Sequence, residues 1–180
     1  SIKISQNSKI YVFLHTNQAT GGSELLHQLV YHLRNDLKIE AYIYYPYNDS
    51  NPTHRFYKKY NNPVIKSIED LSSNVLLFPE AYWILPTISC YQNIKKTMWW
   101  LSVDNFYVSM FLGNRKDFFL DKAINKVWRF FFKKTLINIE EKIYKKVDFS
   151  IPKLPKEVQS VDFYLAQSFY ALNHLTNKGI

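Results

Sequence analysis

Glycine is scarce in this sequence. Four glycines occur among 180 residues, and two of them, Gly21 and Gly22, are adjacent. Few loops can therefore rely on a positive φ. A Gly-x-Gly-x-x-Gly dinucleotide fingerprint is absent, and no Gly-Lys-Ser or Gly-Lys-Thr follows the pair to make a nucleotide-phosphate loop. Cysteine is reduced to Cys90. One cysteine makes no internal disulfide and no thiolate zinc cage, and it fits a reducing compartment. Cys90 lies in a helix-like stretch and reads as a small buried residue. No apolar run reaches the roughly 18 residues of a membrane span, and the opening SIKISQNSK lacks a secretory hydrophobic segment. Neither His-Glu-x-x-His nor Gly-x-Ser-x-Gly occurs, so no zincin helix or nucleophile elbow is encoded. His27 and His32 are five apart, which does not place them on one helical face. No metal site and no resident cofactor are expected.

What is abundant is aromatic and basic. Tyr numbers 14 and Phe 13, enough to fill a core and still line a binding surface. The formal charge is +8, and it is unevenly spread: from Arg115 to Val147 ten Lys or Arg face four Asp or Glu. A local basic surface suits anionic lipid, nucleic acid or an acidic substrate. The length suits one domain with a proper core.

Strands and helices alternate along the chain. Ile10 to Leu14 reads as a buried strand, and Leu25, Leu26, Leu29, Val30 and Leu33 then recur at helical spacing after the glycine pair. Glu40 to Tyr45, Asn74 to Phe78, Thr97 to Val103 and Asp162 to Ala166 read as further strands, with a minor one at Val64 to Ser67. Thr53 to Tyr60 reads as a short helix and Ser168 to Asn177 as a closing one. Such alternation predicts an α/β fold, an open parallel Rossmann-like sheet with helices on both faces, whose first strand is central beside the Glu40 strand. The end, Lys178 to Ile180, resembles the entry to another strand, so the chain reads as part of something longer.

In such a sheet the functional groups gather at the carboxyl ends of the strands. Those ends here carry Thr16, Asn17, Thr20, Gly21 and Gly22, then Glu80 after Pro79, then Ser102, Asp104 and Asn105, then Gln167 and Ser168. The glycine pair opens a helix, where free amides and the helix dipole favour an anion or an acceptor oxygen; a tight turn is its other explanation. Glu80 and Asp104 are the candidate acid/base carboxylates, or equally helix caps. Glu24 complements the first turn of its own helix. His15 ends the first strand and either faces the crevice or packs at its rim. Tyr82, Trp83 and Tyr107 either offer rings to stack on a sugar or fill the core.

The stretch from 106 to 147 breaks the alternation and reads as a helical insert. Its centre, VWRFFFKKTLINI, interleaves rings and cations. Lys126, Trp128, Arg129, Phe131, Lys133 and Lys134 are the candidate membrane contacts; a long core helix with a solvated basic side is the alternative.

The segments TGGSELLHQLVYHLR and EAYIYYPY, then NVLLFPE, NIKKTMWWLSVDNF and DFYLAQSFYALNHLTNKGI, resemble the amino-terminal domain of bacterial GT-B glycosyltransferases of surface-polysaccharide synthesis. The resemblance implies that residues 1–180 form one Rossmann-like acceptor-side domain facing a donor-binding domain that these residues do not include. It implies transfer of a sugar from a nucleotide-sugar to a surface-glycan or lipid-linked acceptor, with no essential metal. It places Gly21 and Gly22 near the donor diphosphate; Thr20, Asn105 and Ser168, by their place at the strand ends, are the further candidate substrate contacts. It implies a cytoplasmic protein, peripheral at the inner face of the membrane. A nucleic-acid-binding module or a non-enzymatic membrane-docking module built on the basic segment is the alternative, although no RRM, KH or helix-turn-helix pattern appears.

Overall fold

A computed structural model describes residues 3–5, 7–15, 19–46, 50–113, 124–126, 128–129, 138–147, 149 and 154–180. The strands are β1 (Lys9–Phe13), β2 (Glu40–Tyr44), β3 (Val64–Ile65), β4 (Val75–Pro79), β5 (Lys95–Trp100) and β6 (Phe163–Ala166). They form one sheet in the order β3-β2-β1-β4-β5-β6, and every pairing is parallel. The helices are α1 (Gly21–Asn35), α2 (Leu85–Ile88), α3 (Val103–Gly113), α4 (Ile139–Tyr144), α5 (Lys156–Gln159) and α6 (Phe169–Asn177), with 3-10 turns at Arg55–Tyr60 and Tyr82–Ile84. The architecture is an open α/β fold of Rossmann-like kind. β1 is central, with β2 on one side and β4 on the other.

Strand periodicity divides the core in two. Ile10, Val12, Val75 and Leu77 point to one face and pack with Leu26, Val30 and Leu33 of α1. Tyr11, Phe13, Leu76, Phe78, Met98 and Trp100 point to the other. There they meet Val103, Phe106 and Tyr107 of α3 and Ala171 and Leu175 of α6. With right-handed crossovers, strands added leftward from β1 and rightward from β4 carry their helices on opposite faces. The crevice between the carboxyl ends of β1 and β4 is therefore a topological switch point, where open α/β sheets bind ligands.

Several expectations are corrected. The Trp-rich strand lies at Lys95–Trp100 rather than from 97 to 103, because Lys95 and Lys96 pair with Val75 and Leu76 at the amino end of β4. Helix α3 then starts at Val103, capped by the Ser102 hydroxyl, which accepts from the Asn105 amide at 3.2 Å. Residue 106 thus lies within α3, which runs on to Gly113. Cys90 is exposed, not buried, in the turn after the short α2. Tyr107 is core: 1 % exposed, with its hydroxyl 3.1 Å from His174 Nε2.

Of the predicted helical insert, residues 124–126, 128 and 129 are helical, and α4 is capped by the Asn138 side chain, which accepts from the Glu141 amide. Lys126, Trp128 and Arg129 are exposed. Phe131, Lys133 and Lys134 lie outside the described residues, as do Thr16 and Asn17. Among the described residues no helix is long and apolar enough to cross a membrane.

Candidate functional site

A cavity of about 960 Å³ opens at the switch point. Leu14 and His15 line it from the end of β1, Gly21 and Gly22 from α1, and Glu80 and Trp83 from the end of β4. Leu101, Ser102, Asn105, Val108, Ser109 and Leu112 line it from β5's end and α3, and Gln167 from β6's end. On α3 the spacing of Asn105, Val108, Ser109 and Leu112 is that of one helical face.

The glycine pair is helical. Thr20 is the extended N-cap, with its side chain accepting from the Ser23 amide at 3.1 Å, and the helix starts at Gly21. Neither glycine has a positive φ. The tight-turn explanation therefore fails, and in helical backbone each glycine is up to about 1 kcal/mol less favourable than alanine. Packing accounts for one of them: a Cβ on Gly22 would lie 3.1 Å from Leu101 Cδ1. At Gly21 a Cβ would meet nothing within 4 Å. Gly21 is thus explained by neither conformation nor packing, and the missing side chain leaves its backbone open to the cavity. Its amide and that of Gly22 find no acceptor among the described residues.

Glu80 is only 2 % exposed, yet it lines the cavity. Its Oε2 accepts from the Leu101 amide at 2.9 Å, and its Oε1 accepts from the Ser102 amide at 3.2 Å and Asn105 Nδ2 at 3.1 Å. The carboxylate therefore ties the end of β4 to the turn between β5 and α3, and fixes Asn105 at the cavity wall. Burial pushes its pKa up, and the hydrogen bonds from Leu101, Asn105 and Ser102 act against that. His15 and Trp83 form an aromatic wall, edge to face with centroids 5.0 Å apart.

Two of the predicted site residues are elsewhere. Asp104 does not line the cavity; its Oδ1 accepts from the Tyr170 hydroxyl at 3.3 Å. The reason is helical geometry, since successive side chains turn by about 100° and Asn105 takes the inward position. Ser168 is the N-cap of α6, accepting from the Ala171 amide at 3.2 Å, while its neighbour Gln167 reaches the cavity. Tyr82 packs edge to face on Phe106, and its amide donates to Ser109 Oγ at 2.9 Å. Among the described residues no three His, Cys, Asp or Glu side chains group as metal ligands.

The 3-10 turn straps the first two turns of α1. The Tyr57 hydroxyl donates to the Thr20 carbonyl and accepts from the Thr20 amide, both at 2.8 Å. Glu24 accepts from the Tyr60 hydroxyl and pairs with Lys59 at 2.8 Å; hydrogen bonds from Lys59 and Tyr60 hold its pKa below the usual carboxylate value. His27 lies under the strap, 1 % exposed, with the Tyr57 ring stacked on it at 4.7 Å. Its Nε2 is 3.2 Å from the Tyr45 hydroxyl, and Asn62 Nδ2 donates to its carbonyl at 2.8 Å. Burial lowers its pKa from 6.5 to about 4. Sequence reasoning missed this strap. Its only trace is the spacing of Tyr57 and Tyr60, three apart, which eclipses them on one side of a 3-10 turn.

Comparison with protein-family models, with curated proteins and with solved structures finds no match to the chain.

Proposed function

We propose that this chain is the acceptor-side domain of a GT-B type glycosyltransferase of surface-polysaccharide synthesis. It takes part in moving a sugar from a nucleotide-sugar to a surface-glycan or lipid-linked acceptor, with a donor-binding domain completing the cleft. The observation that carries the reading is the helical Gly21, unexplained by fold, at a switch-point cavity large enough for a sugar. The acceptor hydroxyl attacks the anomeric carbon of the donor. Its proton passes to a base, and the bond to the diphosphate oxygen breaks with the electron pair leaving on the diphosphate. Glu80 is the candidate base, since a buried carboxylate with a raised pKa is a better proton acceptor than an exposed one. The amides of Gly21 and Gly22, which meet no acceptor among the described residues, lie at the positive end of α1 and suit the departing diphosphate or an acceptor oxygen. Asn105 and Trp83 offer a hydrogen bond and an apolar ring face to a sugar. Lys126, Trp128 and Arg129, all exposed, are the proposed contacts to an anionic membrane surface, attaching the protein peripherally at the cytoplasmic face.

The test is a transfer assay with radiolabelled nucleotide-sugars and lipid-extracted glycan acceptors. The full-length protein forms product, and residues 1–180 alone form none. Absence of transfer from every donor by the full-length protein would overturn the assignment, and brisk turnover by residues 1–180 would overturn the division of labour.

A further inference from the structure

We propose that the 3-10 turn and the sheet edge beside it form a docking surface for an anionic lipid bilayer, separate from residues 126–134. From Ser50 to Ile68 the sequence carries four Lys or Arg and no Asp or Glu. In the turn, three residues per repeat sort the side chains into rows. Tyr57 and Tyr60 form the inner row against His27. Arg55 and Lys58 form an outer row, and Phe56 with Lys59 forms another; all four are exposed. Phe56 is 56 % exposed, and the Arg55 guanidinium lies 5.0 Å from its ring centroid. Beyond the turn, β3 is an edge strand with Val64 43 % exposed, followed by exposed Lys66.

The Phe56 ring touches His54 and Arg55 of its own segment, with centroids 4.8 Å apart in the first case, and turns the larger part of its surface to water on a turn that is itself pinned to α1. Beside Arg55 and Lys58, which have no ion pair among the described residues, it matches the boundary of an anionic bilayer, where the ring enters the acyl region and the cations meet phosphates. Lys59 is engaged by Glu24, so Arg55, Lys58 and Lys66 carry the attraction. Tyr57 of the same turn holds the backbone of Thr20, so docking here seats the cavity mouth at the lipid surface. The inference does not require sugar transfer, and its test measures none.

The experiment sediments the full chain with phosphatidylcholine vesicles, with and without phosphatidylglycerol, at low and high salt. Wild type binds the anionic vesicles at low salt and is released by high salt. Arg55→Glu with Lys58→Glu lowers the partition coefficient at least about tenfold, and Phe56→Ser weakens binding further, with circular dichroism unchanged. If the charge reversals disturb the turn, Arg55→Gln with Lys58→Gln shows the loss without them. The proposal is overturned if the double variant binds as wild type or if neutral vesicles bind equally well. It is likewise overturned if Lys126→Glu with Arg129→Glu alone abolishes binding, or if single-stranded DNA is bound and anionic vesicles are not.

Discussion

His27 makes the strap over α1 sensitive to acid. The side chain is buried under Tyr57, and its pKa falls from 6.5 to about 4. The native state therefore binds the proton less tightly than the unfolded chain. Stability from this residue is fully present above pH 6.5 and is lost as pH falls through the window from 6.5 to about 4. At 1.36 kcal/mol per factor of ten in proton affinity, the whole loss is about 3 kcal/mol, of which about 2 is gone by pH 5. Urea unfolding at pH 7 and pH 5 reads this directly, for wild type and for His27→Gln. The variant loses some stability at both values but lacks the extra fall, so the gap between the proteins narrows by about 2 kcal/mol at pH 5. His174, lowered by burial, and Glu80, raised by burial, titrate in both proteins and cancel in the comparison. In thermal melts the same change is about 4–8 °C for a chain of this size. An equal fall for both proteins between pH 7 and pH 5 would refute the reasoning.

Glu80→Gln leaves an amide group facing three donors, so it costs about 1–3 kcal/mol in urea unfolding and removes transfer by the full-length protein; unchanged turnover would leave Glu80 as a strand tie only. Tyr57→Phe keeps the ring on His27 but frees the Thr20 amide and leaves the Thr20 carbonyl with the Glu24 amide alone, so amide exchange across residues 20–23 quickens while the core amides of β1 and β4 stay protected. Asp104→Asn faces Tyr170 and not the cavity, so transfer stays within a factor of about two of wild type, in keeping with a substitution at a non-cavity surface position; a large loss would bring Asp104 back as a catalytic carboxylate.

Much of the fold is legible in the residues themselves. Ile10, Val12, Tyr11 and Phe13 alternate within a run that is apolar throughout, as a strand covered on both faces requires, and the period changes to helical after the glycines. That pattern suffices for a parallel sheet with β1 at its centre. It does not fix boundaries: Lys95 and Lys96 look like loop residues, yet they are half-buried at the amino end of an interior strand, where the Lys95 ammonium donates to the Lys3 carbonyl, and the strand starts there. The site was legible as a set of strand ends, because parallel strands bring Gly21, Glu80 and Asn105 to one rim whatever the loops do. It was not legible in orientation. Asp104 and Asn105 are equivalent as letters, and only the phase of α3 decides which one faces the cavity. What sets Gly21 apart from Gly22 was hidden for a related reason, since φ and the space around each glycine are properties of the folded chain. Tyr57 and Thr20 are 37 positions apart, and nothing local links them.

The central claim is that the open backbone of Gly21 receives the substrate. Gly21→Val puts a branched side chain where a Cβ meets nothing within 4 Å among the described residues, whereas a side chain at Gly22 would press on Leu101 and confuse packing with function. The decisive measurement is sugar transfer by full-length Gly21→Val beside its far-ultraviolet circular dichroism and melting temperature. The account predicts an unchanged spectrum, a melting temperature equal to or above that of wild type, and transfer reduced at least about a hundredfold, the loss expected when an oxyanion-type amide is denied its ligand. Wild-type transfer by a normally folded Gly21→Val protein would contradict it.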